Sequence, residues 1–167
     1  MNRSQRRVWK KNSDVRFRLA PARFRETYYQ LYAKYIEQRH SDGDMYPPSR
    51  EQFTSFLVEG ANQSEFLEMW LDDTLIGLAV VDSLDDGLSA IYTLFDPAED
   101  ERGLGTLAIL WQAKEALRRD TPYLYLGYWI RECRKMNYKA RFKPLEAFIG
   151  GRWQQLIATS GHSVATE

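Results

Sequence analysis

The chain carries one cysteine in 167 residues, Cys133, which excludes an intrachain disulfide and any multi-cysteine metal site within it. That usage suits a reducing compartment, so a cytoplasmic location is expected. Histidine is almost as scarce. Only His40 precedes the last few residues, so a histidine base, if the chemistry uses one, is His40. No apolar run approaches the roughly 20 residues of a membrane span, and no hydrophobic segment follows the basic N-terminus as it would in a secretory leader. Neither a membrane partner nor a resident metal is expected.

Net charge is also missing, since 23 Lys and Arg balance 23 Asp and Glu. The distribution is far from even. Residues 1–25 hold nine cations against Asp14 alone, residues 41–101 hold fifteen acids against Arg50 alone, and residues 102–143 hold ten cations against three acids. Such blocks produce a polarised surface field that attracts a polyanion on one side and repels it on the other, unless the two signs pair across the fold.

The length fits one domain over 1–157 followed by a disordered tail at 158–167. Within it, VRFRL alternates as a half-exposed strand does, and Pro21 is suited to open a helix on which Phe24, Tyr28, Leu31 and Tyr35 share a face. PPSREQFTSFLVEG reads as a short helix capped by Ser49, with Phe53, Phe56 and Leu57 inward and Gly60 at its end. EFLEMWL, LIGLAVV and LSAIYTLF, separated by acidic turns, read as three antiparallel strands. A helix from about Gly103 buries Leu104, Leu107, Ala108, Trp111 and Leu117. PYLYLGY reads as a buried strand, followed by a helix around 130–138 and strands at LEAFI and RWQQLI. The expected class is α+β, a mixed and largely antiparallel sheet flanked by helices.

Two stretches carry chemistry. In ERGLGT, Arg102, Gly103, Leu104, Gly105 and Thr106 sit at a strand-to-helix junction, where glycines and a helix N-terminus can turn backbone N–H groups toward an anion. In YLYLGYWIRECRKMNYKARFKPLE, residues 123–146, six aromatics are interleaved with six cations, more rings than a solvated face needs and more charge than a core holds. An anionic partner accounts for both.

The position of ERGLGT after the third strand resembles motif A of the Gcn5-related N-acetyltransferase fold: Arg102 and Gly105 match it, and Leu107 stands where that motif has Gly or Ala. More specifically, YLYLGYWI followed by Cys133, Lys135-Met136 and Tyr138-Lys139, together with RSQRRVW, RH before DGDM, and RGLGTLAILW, resembles the C-terminal domain of bacterial arginyl-tRNA protein transferase homologues, the group that includes aspartate/glutamate leucyltransferases. The similarity runs from about Arg3 to Leu156. It implies a Gcn5-related fold and transfer of an aminoacyl group, leucine favoured over arginine, from tRNA to the α-amine of proteins beginning with Asp or Glu, marking them for N-degron proteolysis. It also implies an N-terminal half with a cysteine cluster just ahead of RSQRRVW, which these 167 residues do not include.

On that resemblance the partners are aminoacyl-tRNA and acidic N-termini, and no cofactor is needed because the donor ester is already activated. Tyr128, Tyr138 and His40 are candidates for proton transfer or for donation to the tetrahedral intermediate. Arg39, Lys139 and Arg141 are candidates for holding the acidic side chain of the acceptor. Arg102 to Thr106 would cradle the tRNA end or the oxyanion, and Arg6, Arg7, Trp9, Trp129, Arg134 and Lys135 would meet the acceptor stem. Two other readings stay open: an acetyl-CoA-dependent N-acetyltransferase and a non-catalytic tRNA-binding module.

Overall fold

The structure, a computed structural model, describes residues 1–59, 64–130 and 136–156. The expected tail, Gly60 and most of the expected helix at 130–138 lie outside those residues. Two compact units form, Asn2–Gly127 and a second beginning at Tyr128.

The larger unit is built on a five-stranded sheet in the order β1-β2-β3-β4-β5. β1 (Val15–Pro21), β2 (Ser64–Leu71), β3 (Thr74–Leu84) and β4 (Gly87–Phe95) run antiparallel, and β5 (Tyr123–Tyr125) returns parallel to β4. The three expected central strands are present. Their near-continuous apolar runs follow from burial on both faces, as in β3, where Ile76 to Val81 are all buried.

One face is covered by α1 (Arg3–Lys11) and α4 (Leu104–Arg118). Leu104, Leu107, Ala108 and Ala116 of α4 pack with Leu67, Met69, Ala79 and Val81 of the sheet. On the other face α2 (Glu26–Arg39) and α3 (Arg50–Phe53) place Tyr28, Tyr32, Ile36 and Phe53 against Phe66, Leu78 and Leu94. Burying side chains of this size contributes about 1.5–3 kcal/mol each.

Several local expectations give way. Residues 3–11, to which the sequence reading assigns no element, form a helix fixed by an Asn2–Gln5 capping box. Pro21 ends β1 instead of opening a helix: α2 starts at Glu26, and Phe24 lies outside it, edge-on to Phe53. Ser49 does cap α3, accepting from the Gln52 N–H at 3.1 Å. The helix then widens into a π-helical turn over Thr54–Val58, which rotates Phe56 out to 42% exposure. Leu117, expected inside, is 75% exposed near the end of α4. β5 is a three-residue edge strand with Tyr123 exposed, not a buried one.

Glu115 on α4 is almost fully buried and binds Arg118 at 2.7 Å and Arg119 at 2.8 Å. The Arg118 hydrogen bonds, opposed by burial and reinforced by Arg119, hold its carboxyl down at about 2. A depressed carboxylate stabilises the fold above its ordinary value of 4.5 and loses that contribution as pH falls toward 2. The urea midpoint is therefore expected to fall between about pH 5 and about pH 3, and to fall less steeply in Glu115→Gln. Equal slopes would remove Glu115 from the acid response.

In the second unit a 3₁₀ turn (Asn137–Arg141) precedes a two-stranded sheet of β6 (Glu146–Ile149) and β7 (Arg152–Gln155). Both expected strands are present, though they pair with each other. Phe148 and Trp153 meet across them at 5.3 Å.

Candidate functional site

The junction before α4 is held rigidly. Asp96 closes β4, accepts from the Ala98 N–H at 2.9 Å and pairs with Lys34 at 2.7 Å. A 3₁₀ turn (Pro97–Arg102) follows, and Gly103 takes φ +68°, the left-handed region that glycine occupies without strain. The α4 ladder begins with the Leu107 N–H donating to the Gly103 carbonyl at 3.0 Å. The N–H groups of Leu104, Gly105 and Thr106 precede that first bond and form the positive end of the helix.

Arg102 does not serve this site as a cation. Its guanidinium donates to Glu99 at 2.6 Å and to Asp14 at 3.1 Å, and Asn12 Nδ2 donates to the Arg102 carbonyl at 2.9 Å. It fastens the loop to the end of α1. Leu104 is likewise a core residue, fully buried, so only its backbone faces the junction. Gly103, Gly105 and Thr106 remain partly exposed. A Cβ built on Gly105 meets nothing within 4 Å.

Beside this junction β4 changes partner. Its register against β3 slips between Val80 and Val81, so that Ile91 is an extra residue between Ala90 and Tyr92. β5 pairs with Gly87 to Ser89 only. From Ala90 onward the outer edge of β4 lies beyond the β5 ladder. β4 therefore carries a bulge and, among the described residues, an outer edge from Ala90 onward that no strand pairs.

The end of α2 reaches the same loop. Arg39 binds Asp100 at 3.0 Å, with its guanidinium 5.7 Å over Phe95. His40 lies edge-on to Tyr35 at 5.1 Å, and Tyr35 also meets Phe95 at 5.2 Å and Tyr92 at 6.4 Å. Arg39 and His40 are thus brought to the loop that starts α4, although Arg39 arrives already paired with an acid.

Two further groups are not among the candidates that the sequence offers. The Tyr92 hydroxyl is buried, its ring against Tyr35 and Phe56, with no hydrogen-bond partner, and burial holds it well above its usual range, so it stays protonated and can donate. Gln112 on α4 is fully buried, and neither end of its amide is paired. Each such orphan costs about 1–3 kcal/mol. A polar residue in helical phase between Ala108 and Ala116 was the available clue to Gln112.

Trp9 is not a bare platform. Its ring stacks near Phe17 at 6.5 Å and sits under the Lys114 ammonium at 4.3 Å. Arg6 and Arg7 are exposed on α1. In the second unit Tyr128 is 89% exposed, and its carbonyl accepts from Lys139, whose ammonium is lowered by burial. Burial raises the Tyr138 hydroxyl. Arg141 is exposed and Trp129 half-buried. Arg134 and Lys135 lie outside the described residues. Among the described residues, no cluster of His, Cys, Asp and Glu could hold a metal ion, and no helix is long and apolar enough to cross a membrane.

Comparison with solved structures assigns the fold. The ribosomal-protein-S18-alanine N-acetyltransferase of Escherichia coli matches with a TM-score of 0.56 at 14% identity, covering 79% of each chain. A GNAT family acetyltransferase from Elizabethkingia anophelis with acetyl-CoA bound gives 0.50 at 12% identity, over 84% of this chain and 92% of that one. The expected Gcn5-related fold is the observed one. Among curated proteins, an aspartate/glutamate leucyltransferase of Marinobacter nauticus is 66% identical over 93% of this chain. One from Hahella chejuensis is 52% identical over 90%. The chain spans 65% and 64% of those two relatives. The family model for the C terminus of arginine-tRNA-protein transferase matches residues 27–149, most of the α2-to-β6 span described above, and the chain belongs to that family.

Proposed function

We propose that the chain transfers an aminoacyl group, leucine in preference to arginine, from aminoacyl-tRNA to the α-amine of a protein that begins with Asp or Glu. The observation that carries the reading is the 66% identity to an aspartate/glutamate leucyltransferase over nearly the whole chain. The geometry supports it. The open Gly103–Thr106 turn offers backbone donors to the phosphate of a terminal nucleotide or to an oxyanion, and the β4 edge that no described strand pairs beyond Ser89 gives a short backbone ladder for an extended chain.

The chemistry needs orientation more than activation. The amine lone pair attacks the ester carbonyl carbon, the tetrahedral intermediate collapses, and the bond to the ribose 3′-oxygen breaks. A proton leaves the new amide nitrogen and one arrives on that oxygen, so no redox partner or cofactor is required. Tyr92, Tyr128 and Tyr138 are the hydroxyls suited to donate, and His40 is the candidate base. Lys139 and Arg141 are the candidates for the acidic side chain of the acceptor. Lys139, lowered by burial, gains most from an anionic partner. The exposed cations of α1 would meet acceptor-stem phosphates, in a reducing cytoplasm.

The reading is tested with peptides beginning with Asp, Glu or Ala, offered leucyl-tRNA or arginyl-tRNA and followed by mass spectrometry. The expected product is a leucine adduct on the acidic peptides. Equal modification of the Ala peptide would remove the acceptor specificity, and no adduct on any peptide, alongside retained tRNA binding, would favour a tRNA-binding module.

A further inference from the structure

Among the described residues, four cations reach the loop between β4 and α4, and three of them are committed. Arg102 binds Glu99 and Asp14, Lys34 binds Asp96 at 2.7 Å, and the Lys11 ammonium donates to the Glu101 carbonyl at 2.8 Å. Arg39 differs. It makes one ion pair among the described residues, from Nη1 to Asp100 at 3.0 Å, and its Nε and Nη2 hydrogens have no partner there. A guanidinium is a fork with more than one donating edge, so Arg39 is only partly used.

Its place in the fold is set from three sides. Arg39 is the last residue of α2, where the helix dipole favours a cation, and its guanidinium lies 5.7 Å over the Phe95 ring. Phe95 ends β4, whose outer edge from Ala90 onward no described strand pairs. Asp100 belongs to the turn that leads into α4, and its carbonyl accepts from the Gly103 N–H at 3.1 Å. The pair therefore stands one turn of chain from the open Gly103–Thr106 donors, at the end of an edge onto which an extended peptide can ladder. Both side chains face solvent, Arg39 at 42% and Asp100 at 54% exposure. An ion pair this exposed holds weakly in water, so a carboxylate from outside can reach the guanidinium and exchange with Asp100 at small cost.

We infer that Arg39 is the subsite for the acidic side chain of the acceptor, and that Asp100 is a built-in stand-in for that carboxylate, displaced when an N-terminal Asp or Glu enters. The inference rests on the transferase reading and deepens it, since it assigns acceptor selection to one cation. In an N-terminal Asp the carboxylate lies roughly 4 Å from the α-amine. Gripping the first beside Asp100 delivers the second to the turn that starts α4. An N-terminal Asn or Ala brings no charge to replace the pair, so Asp100 keeps its place against it. Arg39 binds and orients; it takes no part in moving protons.

The test is equilibrium binding to the 167-residue chain of two short peptides, labelled at their C-termini and identical except for Asp or Asn at the first residue, followed by fluorescence anisotropy. The wild type should hold the Asp peptide about tenfold tighter. Arg39→Gln should bind the two alike, with its affinity for the Asn peptide unchanged, and Arg39→Lys should recover part of the preference. Asp100→Asn should bind the Asp peptide about three- to tenfold tighter than the wild type does and the Asn peptide as before, a gain that a merely structural Asp100 would not give. Asp100→Ala provides a second variant should the first not fold. A preference for Asp that survives in Arg39→Gln overturns the inference and leaves the transferase reading standing, with Lys139 or Arg141 then holding the acid. No gain in either Asp100 variant removes the stand-in. A wild type that binds the two peptides alike, or binds neither, defeats the subsite; leucine adducts on acidic peptides would still carry the transferase reading in that case, and their absence would end both.

Discussion

Glu68→Ala is expected to lower the thermal midpoint by roughly 4–16 °C, because it removes the buried acceptor of three donors, a loss of about 2–4 kcal/mol once the exposure of Arg18 is allowed for. Glu68 is completely buried in β2. Arg18 donates to it at 2.6 Å and 3.1 Å, Trp70 Nε1 at 2.8 Å, and the Tyr28 hydroxyl also donates. Burial alone would raise its carboxyl, but these donors outweigh burial and hold it below the usual carboxylate value. Burial, reinforced by the bond to Glu68, pushes the Tyr28 hydroxyl up to about 12. Alanine leaves three donors without an acceptor. Glu68→Gln keeps the shape and one acceptor, so its loss should be smaller, and calorimetry of the two variants separates a network from a space-filling side chain. Equal losses would mean that the charge contributes nothing.

Gly105→Leu is expected to abolish aminoacyl transfer, by about 100-fold or more, while leaving the fold as stable as before. A Cβ at this position meets nothing within 4 Å, and glycine is a poorer helix former than leucine or alanine by up to about 1 kcal/mol. Bulk here projects where a nucleotide phosphate would approach the first turn of α4. Gly105→Ala grades the effect, with a loss of about tenfold and a slightly higher Tm. A Gly105→Leu protein with unaltered transfer would show that the donor does not use this turn.

The parts of the fold legible in the sequence are those whose pattern is set locally. The β2, β3 and β4 runs are short, apolar and bounded by acidic turns, so their order and antiparallel pairing follow from the residues alone. Ser49 and Gly103 were readable because capping and left-handed turns constrain residue type. α1 was not, because RSQRRVWKK is almost wholly polar and holds its place through Gln5, Val8, Trp9 and Asn12, which have no apolar period. Arg102 reads as a cation available to the loop since two of its partners, Asn12 and Asp14, lie about 90 positions away in sequence, and only the third, Glu99, is local. Leu104 sits inside a motif whose backbone faces outward while its side chain turns into the core. Tyr92 and Gln112 were missed for a related reason: their interest lies in partners they lack, which only a folded chain reveals.

We propose that this domain shares the chemistry of the aminoacyl transferases as well as their descent, and not the chemistry of the acetyltransferases whose fold it shares. A peptide beginning with Asp, incubated with the chain and both leucyl-tRNA and acetyl-CoA, then weighed by mass spectrometry, decides between them. The proposed function gives a mass increase of one leucine residue at the α-amine, and an acetyl increase there would overturn it.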